Sequence, residues 1–512
     1  MGLRGLTCAL ICLAAPLAAQ SDRPLSAIDW LSQSVDLPPQ PAAATAPPPR
    51  RSAEPPVADS ATTPQITVTP LDAAEPAATG PLPQSVTGLP RTLWSRSDPE
   101  TVVTLIRAER EPALPALRDL LVTVLLAQSV APQGAGQSLD LARIDKLLDL
   151  GALDEALALL DTTDTENPAL FRRWFDVALL TGTEDDACAT MQTAPAIAPT
   201  FPARIFCLAR SGDWSAAALT LNTHRALGDV SAEEEALLSR FLDPDLFEGE
   251  DPVPTPDRIS PLVFRMREAI GEGLNTGPLP LAFAHADLRS TVGLKARLDA
   301  AERLALHGAL AAPVLKNLYL SRTPSASGGV WDRVDAFQRF DTAIRAGDPE
   351  AVSATLPPVW SAMQSIRAEV MFAELYAPAL LRLPLTGAAA TQARDIGLLS
   401  DAYQTVALAH PDLDPLLRAI ATGEMAGVTS HTAMEEAIIA GFAGTAPPDA
   451  FATMIADGKL GEALLRTIAV FDAGVAGDAR SVTDALLVLR RVGLDDTARR
   501  AALQLLLLDR RT

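Results

Sequence analysis

Apolar residues recur at three- and four-residue intervals from Asp98 onward, and glycine or proline separates each such segment from the next. This is the period of amphipathic helices. The run Leu120–Leu126 is strongly apolar but far shorter than the roughly 20 residues that span a bilayer, so we expect it in a protein core. The first predicted helices are Pro99–Arg110, Pro115–Gln128, Leu139–Leu150 and Leu153–Leu160.

A short motif recurs along the helical region: a glycine, then polar or acidic residues, then an alanine five positions after the glycine. The instances are Gly151/Ala156, Gly212/Ala217, Gly458/Ala463 and Gly493/Ala498, with a variant in Gly347–Val352 that places the small residue one position early. We expect the glycine to end one helix in a left-handed turn and the alanine to let the next helix pack closely on it.

This motif resembles the turn and second helix of tetratricopeptide-type hairpins, although only the last two instances have about the 34-residue spacing of such repeats. Any helical protein rich in alanine and glycine can also produce such matches. We predict an all-α protein, an irregular α-solenoid of helical hairpins.

The first residues have the pattern of an export signal. Met1–Arg4 is positively charged, Leu6–Ala15 is apolar, and the small residues Leu17–Ala19 provide a cleavage site. We therefore expect residues 1–19 to be a signal peptide and the mature protein to be periplasmic, without a transmembrane segment.

Residues 20–92 are rich in proline, alanine and threonine, and we expect them to form a disordered tether. Three more apolar islands interrupt it: Ala27–Val35, Gln65–Leu71 and Pro81–Trp94. Such islands dock either on a partner or on the chain's own domain, and for the last island we expect docking on its own domain.

A second break lies at Gly249–Pro261, where four prolines interrupt the helical pattern. It predicts either a linker between two helical halves, residues 93–250 and 251–512, or a long loop that crosses a superhelix. The surrounding segment Asp243–Asp257 is acidic, but Phe247 and Pro254 occupy positions where a calcium loop needs oxygen ligands, so no metal is expected.

The composition supports helices and excludes some partners. Hydrophobic residues make up 48% of the chain and aromatic residues only 4%, so alanine and leucine supply the apolar material. The net charge of -21, without a basic stripe, argues against a nucleic-acid partner. The same charge weakens docking on anionic lipid.

Outside the predicted signal the chain keeps two cysteines, Cys188 and Cys207. Thr183–Asp186 has the pattern of a helix start with a capping hydroxyl, Pro195–Pro202 predicts a turn, and a second helix should run from Pro202 to Ser211. An antiparallel hairpin would bring the two cysteines level, and an exported protein meets an oxidising compartment. We expect a disulfide, with two buried free thiols as the alternative.

Sequence motifs of known chemistry are missing. The chain has no glycine-rich phosphate loop, no nucleophile elbow and no zinc-binding histidine pair, and its five histidines are far apart. The catalytic segment of exported lytic transglycosylases is also absent. Glu268 and Glu374 lie on predicted amphipathic helices, where surface acids are usual. We therefore expect no enzyme activity and no cofactor.

One loop stands out as a candidate interaction site, Arg322–Arg333. Its glycines and serines would expose backbone amides beside a helix start, where an anion or a peptide carboxylate can bind. The alternative is an ordinary turn with its tryptophan in the core. The candidate residues are Arg322, Ser325, Ser327, Gly328, Gly329, Trp331 and Arg333. Upstream, His285 is expected to be a buried packing residue.

Three segments, Pro81–Trp94, Leu279–Arg289 and Ser325–Arg333, resemble a group of uncharacterised exported proteins of alphaproteobacteria. The resemblance covers the chain from about Ile66 onward. Some members carry an antifreeze-type label, but an ice-binding surface needs a flat, regular array and this tether is irregular. The resemblance implies an exported helical protein and brings no catalytic residues.

These observations predict a non-catalytic periplasmic scaffold or adaptor that binds a protein partner in the cell envelope. The alternatives are a peptidoglycan-associated envelope enzyme and a carbohydrate- or peptide-binding module that uses the loop at Ser325–Trp331. Converging carboxylates in a deep pocket would favour the enzyme.

Overall fold

Many helices of this protein begin in the same way, with a capping side chain followed by proline at the first helical position. Asp98 accepts a hydrogen bond from the Thr101 backbone amide at 2.8 Å, and Asn167, Ser260, Asp348 and Asp414 cap their helices in the same manner. Proline fits this position because its missing N–H would have no partner in the first turn. These local signals explain why these helices begin at positions that the residue pattern indicates.

The computed structural model describes residues 78–164 and 166–508, which contain 25 α-helices and one pair of two-residue strands. The strands are β1 (Ala78–Thr79) and β2 (Ser129–Val130), which pair antiparallel. The helices of the first part are α1 (Gln84–Thr87), α2 (Pro99–Ala108), α3 (Pro115–Leu126), α4 (Ser138–Asp149), α5 (Leu153–Leu160), α6 (Pro168–Thr181), α7 (Glu184–Thr193), α8 (Phe201–Arg210), α9 (Trp214–Leu227), α10 (Ala232–Leu242), α11 (Pro261–Ala269) and α12 (Ala284–Asp287).

The remaining helices are α13 (Leu294–Leu306), α14 (Ala312–Leu320), α15 (Val330–Ala346), α16 (Pro349–Ser365), α17 (Glu369–Leu380), α18 (Gly387–Leu398), α19 (Tyr403–Ala409), α20 (Pro415–Thr422), α21 (Ala433–Ala443), α22 (Asp449–Ala456), α23 (Leu460–Val475), α24 (Ala479–Arg491) and α25 (Asp495–Leu507). Three short 3₁₀ turns lie at Pro195–Ile197, Pro244–Phe247 and Leu281–Phe283.

The all-α prediction is confirmed: the helices pack in sequential pairs, such as α8 with α9, α15 with α16, and α23 with α24. The four helices predicted first are all present, with ends that differ by no more than two residues from the observed ones. None of the described helices is long and apolar enough to cross a membrane.

The glycine–alanine motif behaves as predicted. Its glycines at 151, 212, 458 and 493 all have φ between 69° and 86°, and the alanine five residues after each is fully buried. In the variant, Gly347 also turns with positive φ, and Val352 takes the buried position in place of the earlier Ala351. The motif therefore marks the tight turns between packed helices.

The two ends of the array pack on each other. α23 contacts both α2 and α3, and α25 contacts α3. The Gly461 amide donates a hydrogen bond to the Leu93 carbonyl at 3.0 Å, and the Ala116 amide donates to the Gln504 side-chain oxygen at 2.8 Å. We call this contact between residues 93–126 and 460–507 the seam.

The island Pro81–Trp94 packs against the chain's own helices. Leu82, Leu89, Leu93 and Trp94 are buried in it, as expected for self-docking. The packed chain therefore already includes residues 78–92, and the predicted tether boundary at residue 92 lies too late. The signal peptide predicted at residues 1–19 and the other two islands lie outside the described residues.

The break contains no helix or strand from Gly249 to Ser260, and α11 begins at its last residue, Pro261, but the break is held against the body. Val253 is buried, its amide donates to the Glu272 carboxylate at 3.0 Å, and its carbonyl accepts from Arg267 at 2.8 Å. A buried Arg and a carboxylate thus hold the middle of the segment. The division into residues 93–250 and 251–512 stays a prediction.

Candidate interaction surfaces

The loop Arg322–Arg333 uses several of its predicted binding groups internally. Trp331 is only 9% exposed and lies in the hydrophobic core formed around α14–α17. The Gly328 amide donates to the Asp332 carboxylate at 2.8 Å, and Arg333 forms an ion pair with Glu302. The structure thus places the tryptophan in the core, which is the alternative to a surface anchor. Arg322, Ser325, Ser327 and Gly329 remain exposed.

Cys188 and Cys207 form the predicted disulfide, with their Cα atoms 5.1 Å apart. It joins α7 to α8, and both cysteines are buried. The helix start at Glu184 is as predicted, but the capping role of Thr183 is wrong. Its hydroxyl bonds to the Thr181 hydroxyl at 3.1 Å instead of to an amide of α7.

The disulfide lies in a group of four consecutive helices, α7–α10, that shares a hydrophobic core with α6 and α11. α6 packs directly on α11, and the four helices α7–α10 lie between these two helices in the sequence. We call residues 184–242 the lobe. The buried carboxylate of Glu184 joins Arg210 at 3.2 Å and Arg265 at 2.6 Å, so an ion-pair network ties the lobe to α11.

Helix α9 of the lobe has apolar side chains on its solvent face. Ala217 and Leu221 are its buried residues, where it packs against α8 and α10. Leu219 lies between them in sequence and, at 100° per residue, points away from that side; it is 68% exposed, and Leu227 is 67% exposed.

Exposed apolar residues are concentrated in this part of the sequence. Among the described residues, the large hydrophobic side chains that are most exposed are Val86, Trp214, Leu219, Leu227, Leu246, Leu306 and Leu408. Four of these seven lie between residues 214 and 246. Single exposed leucines are ordinary on protein surfaces, but exposed apolar residues that share one helix, such as Leu219 and Leu227, favour an interaction site.

A second surface is an apolar groove between α2, α22 and α23. It encloses about 650 Å³, within the range of ligand-binding clefts. The apolar lining consists of Leu105, Ala108, Ala450, Phe451, Met454, Ala469 and Val470, and the polar lining of Glu109 and Arg466. Helix α22 forms one wall, yet none of its residues is buried.

Burial and the nearby Asp472 raise the pKa of Glu109 to about 7. Because this value lies above that of an unfolded glutamate, the folded state binds the proton more tightly. The resulting stabilisation is complete below about pH 4.5 and is lost as the pH rises through about 7.

We therefore expect Glu109→Gln to increase the free energy of unfolding at pH 8 by about 1–3 kcal/mol and to have little effect at pH 4.5. Urea unfolding at the two pH values measures this difference. Glu100→Gln, which removes an exposed carboxylate from α2, the helix that ends just before Glu109, is the matched control. Equal effects of Glu109→Gln at both pH values would contradict the prediction.

A group of acids from distant helices also converges. Desolvation by the surrounding helices, with added repulsion from Asp119 and Asp401, raises the pKa of Glu374 on α17 to about 7, although this residue is exposed at the surface. Arg500 forms an ion pair with Asp401 at 2.7 Å. Such a pKa suits a general acid, but desolvation beside other carboxylates also produces it without any catalytic role, so the group assigns no reaction. The described residues contain no cluster of His, Cys, Asp or Glu that could hold a metal ion.

The remaining residues singled out from the sequence have structural roles. Glu268 forms an ion pair with Arg289 at 2.6 Å. The Nε2 atom of His285 lies 2.8 Å from the Gly151 carbonyl oxygen, and burial lowers its pKa. This is the packing role expected for the histidine.

Leu219, Leu227 and Arg466 were not among the residues expected from the sequence to be functional. Leu219 and Leu227 lie off the apolar stripe of α9, a signal that a helical projection of this segment would have revealed. Arg466 had no such signal, because its importance comes from the helices that surround it.

Comparison with protein-family models, curated proteins and solved structures finds no match to this chain.

Proposed function

We propose that this protein is a non-catalytic helical adaptor of the periplasm that binds a protein of the cell envelope through the exposed apolar face of α9. The observation that supports this most directly is the exposure of Leu219 and Leu227 on a helix whose other side is already packed. Covering such a face releases water from apolar surface, which drives association.

The lobe is built to present this face in one conformation. The disulfide Cys188–Cys207 constrains α7 and α8, and α9 packs on α8. A surface that is rigid before binding loses less conformational entropy when a partner docks. The proposed periplasmic location agrees with a disulfide, because disulfides persist in oxidising compartments.

A photo-crosslinking amino acid at position 219 tests the proposal in the cells that make the protein. We expect it to crosslink to one envelope protein. The same group at Leu408, which is 70% exposed on α19, is the matched control and should not capture that protein.

The double variant Leu219→Ser/Leu227→Ser should then reduce recovery of the crosslinked partner with the purified protein at least tenfold. Its stability should change little, because both side chains are on the surface. Undiminished recovery, or the same partner captured from position 408, would exclude this face as the binding site.

A further inference from the structure

The groove between α2, α22 and α23 lacks a partner on one of its walls. Helix α22 reads DAFATMIA and packs on α23. A helix with this apolar composition normally buries its apolar face, yet Phe451, Met454 and Ile455 all keep part of their surface in solvent. The groove therefore has the lining of an interface in which one element is missing.

The charges along the groove alternate. Arg466 lines the apolar groove together with Glu109, and it also lines the adjoining cleft together with Asp98 and Glu100. It thus lies between an acidic end at residues 98–100 and Glu109, which forms a second acidic end above about pH 7, where its carboxyl group is ionised. Arg466 is exposed, and no ion pair or hydrogen bond of its side chain occurs among the described residues.

We propose that this groove binds an amphipathic helix of a partner protein, which places an acidic side chain against Arg466 and basic side chains against Asp98–Glu100 and Glu109. Grooves between helices commonly accept such a helix by its apolar stripe. The distance from Asp98 to Glu109 along α2 is about 16 Å at 1.5 Å per residue, so the partner helix needs about three turns.

Charge complementarity selects this occupant. Arg466 has no partner of opposite charge among the described residues, so it is free to pair with a carboxylate of a docking helix. The acids at both ends repel a second carboxylate there and favour lysine or arginine. The site is separate from the lobe, so it does not depend on the function proposed for α9.

Two synthetic 16-residue helical peptides with the same composition and the same leucine stripe test the proposal. The first has lysines at both ends and glutamates at the centre, and the second has these charges exchanged. We expect the full mature protein to bind the first peptide at least tenfold more tightly, as measured by fluorescence anisotropy.

Two variants assign the binding to the groove. Ala469→Trp fills the groove from an exposed position and should abolish binding of both peptides. Arg466→Glu should remove or reverse the preference between them. Arg382→Glu makes the same change of charge at an exposed arginine on the turn after α17 and should leave the preference unchanged.

The proposal fails if neither peptide binds, if both bind equally, or if Ala469→Trp has no effect. It also fails if Arg466→Glu and Arg382→Glu act alike, because the preference would then reflect overall charge. Leu219→Ser/Leu227→Ser should bind the first peptide normally, which separates this site from the lobe.

Discussion

Replacing Trp94 with alanine is expected to lower the free energy of unfolding by about 3–5 kcal/mol. Trp94 is fully buried and is the largest such side chain among the described residues. Its ring lies at the seam, against the start of α23 at Gly461. Removal of the ring leaves a cavity between the first and last parts of the array, which are distant in sequence and cannot easily move to fill it.

Chemical unfolding followed by circular dichroism measures this effect. Trp214→Ala is the matched control, because Trp214 is 50% exposed and the same chemical change there should cost little. Equal destabilisation by the two substitutions would show that the seam does not depend on Trp94.

The contact between Trp94 and Gly461 can also be tested by substituting the glycine. A Cβ atom at Gly461 would lie 2.2 Å from the Trp94 ring, a distance that forces the backbone or the ring to move. Gly461→Ala should therefore destabilise the protein even though alanine favours helices. In the Trp94→Ala background the same change should cost much less, and this non-additivity identifies the direct contact.

Removing the disulfide by Cys188→Ala/Cys207→Ala is expected to cost about 2–4 kcal/mol in stability. The two cysteines are 19 residues apart, and the bond restricts the unfolded chain between them. Because the bond joins α7 directly to α8, we expect the lobe to open before the remainder of the chain when the bond is removed. Faster hydrogen exchange in α7–α10, with unchanged exchange in α23, would show this.

Reduction provides the control within one protein. Dithiothreitol should lower the stability of the wild-type protein to that of the double variant and should not affect the variant itself. If the reductant leaves the unfolding transition of the wild-type protein unchanged, the disulfide does not stabilise the lobe.

Local signals in the sequence were sufficient for much of the fold. The helices that begin with a cap and proline, such as the one at Pro99, depend on neighbouring residues alone. The same holds for the turn glycines and for the pairing of Cys188 with Cys207, since one hairpin places both cysteines. These interactions occur within a few turns of chain, so the residue pattern determines them.

Other local signals were overridden. Pro357 and Pro358 would ordinarily end a helix, yet α16 continues through them to Ser365, with Leu356 and Val359 fully buried on either side. Trp331 follows a glycine-rich loop but is packed in the core. Burial against neighbouring helices outweighed the local preference in both places.

The sequence by itself determined that this protein is helical, where most of its early helices begin and end, and which cysteines pair. Only the tertiary structure decided that residues 93–126 meet residues 460–507, that α9 keeps Leu219 and Leu227 in solvent, and that Arg466 lies unpaired in an apolar groove. The physical reason is the distance along the chain over which the interactions act. Hydrogen bonds and turn preferences act between residues a few positions apart, whereas the exposure of a face depends on which distant helices pack against it.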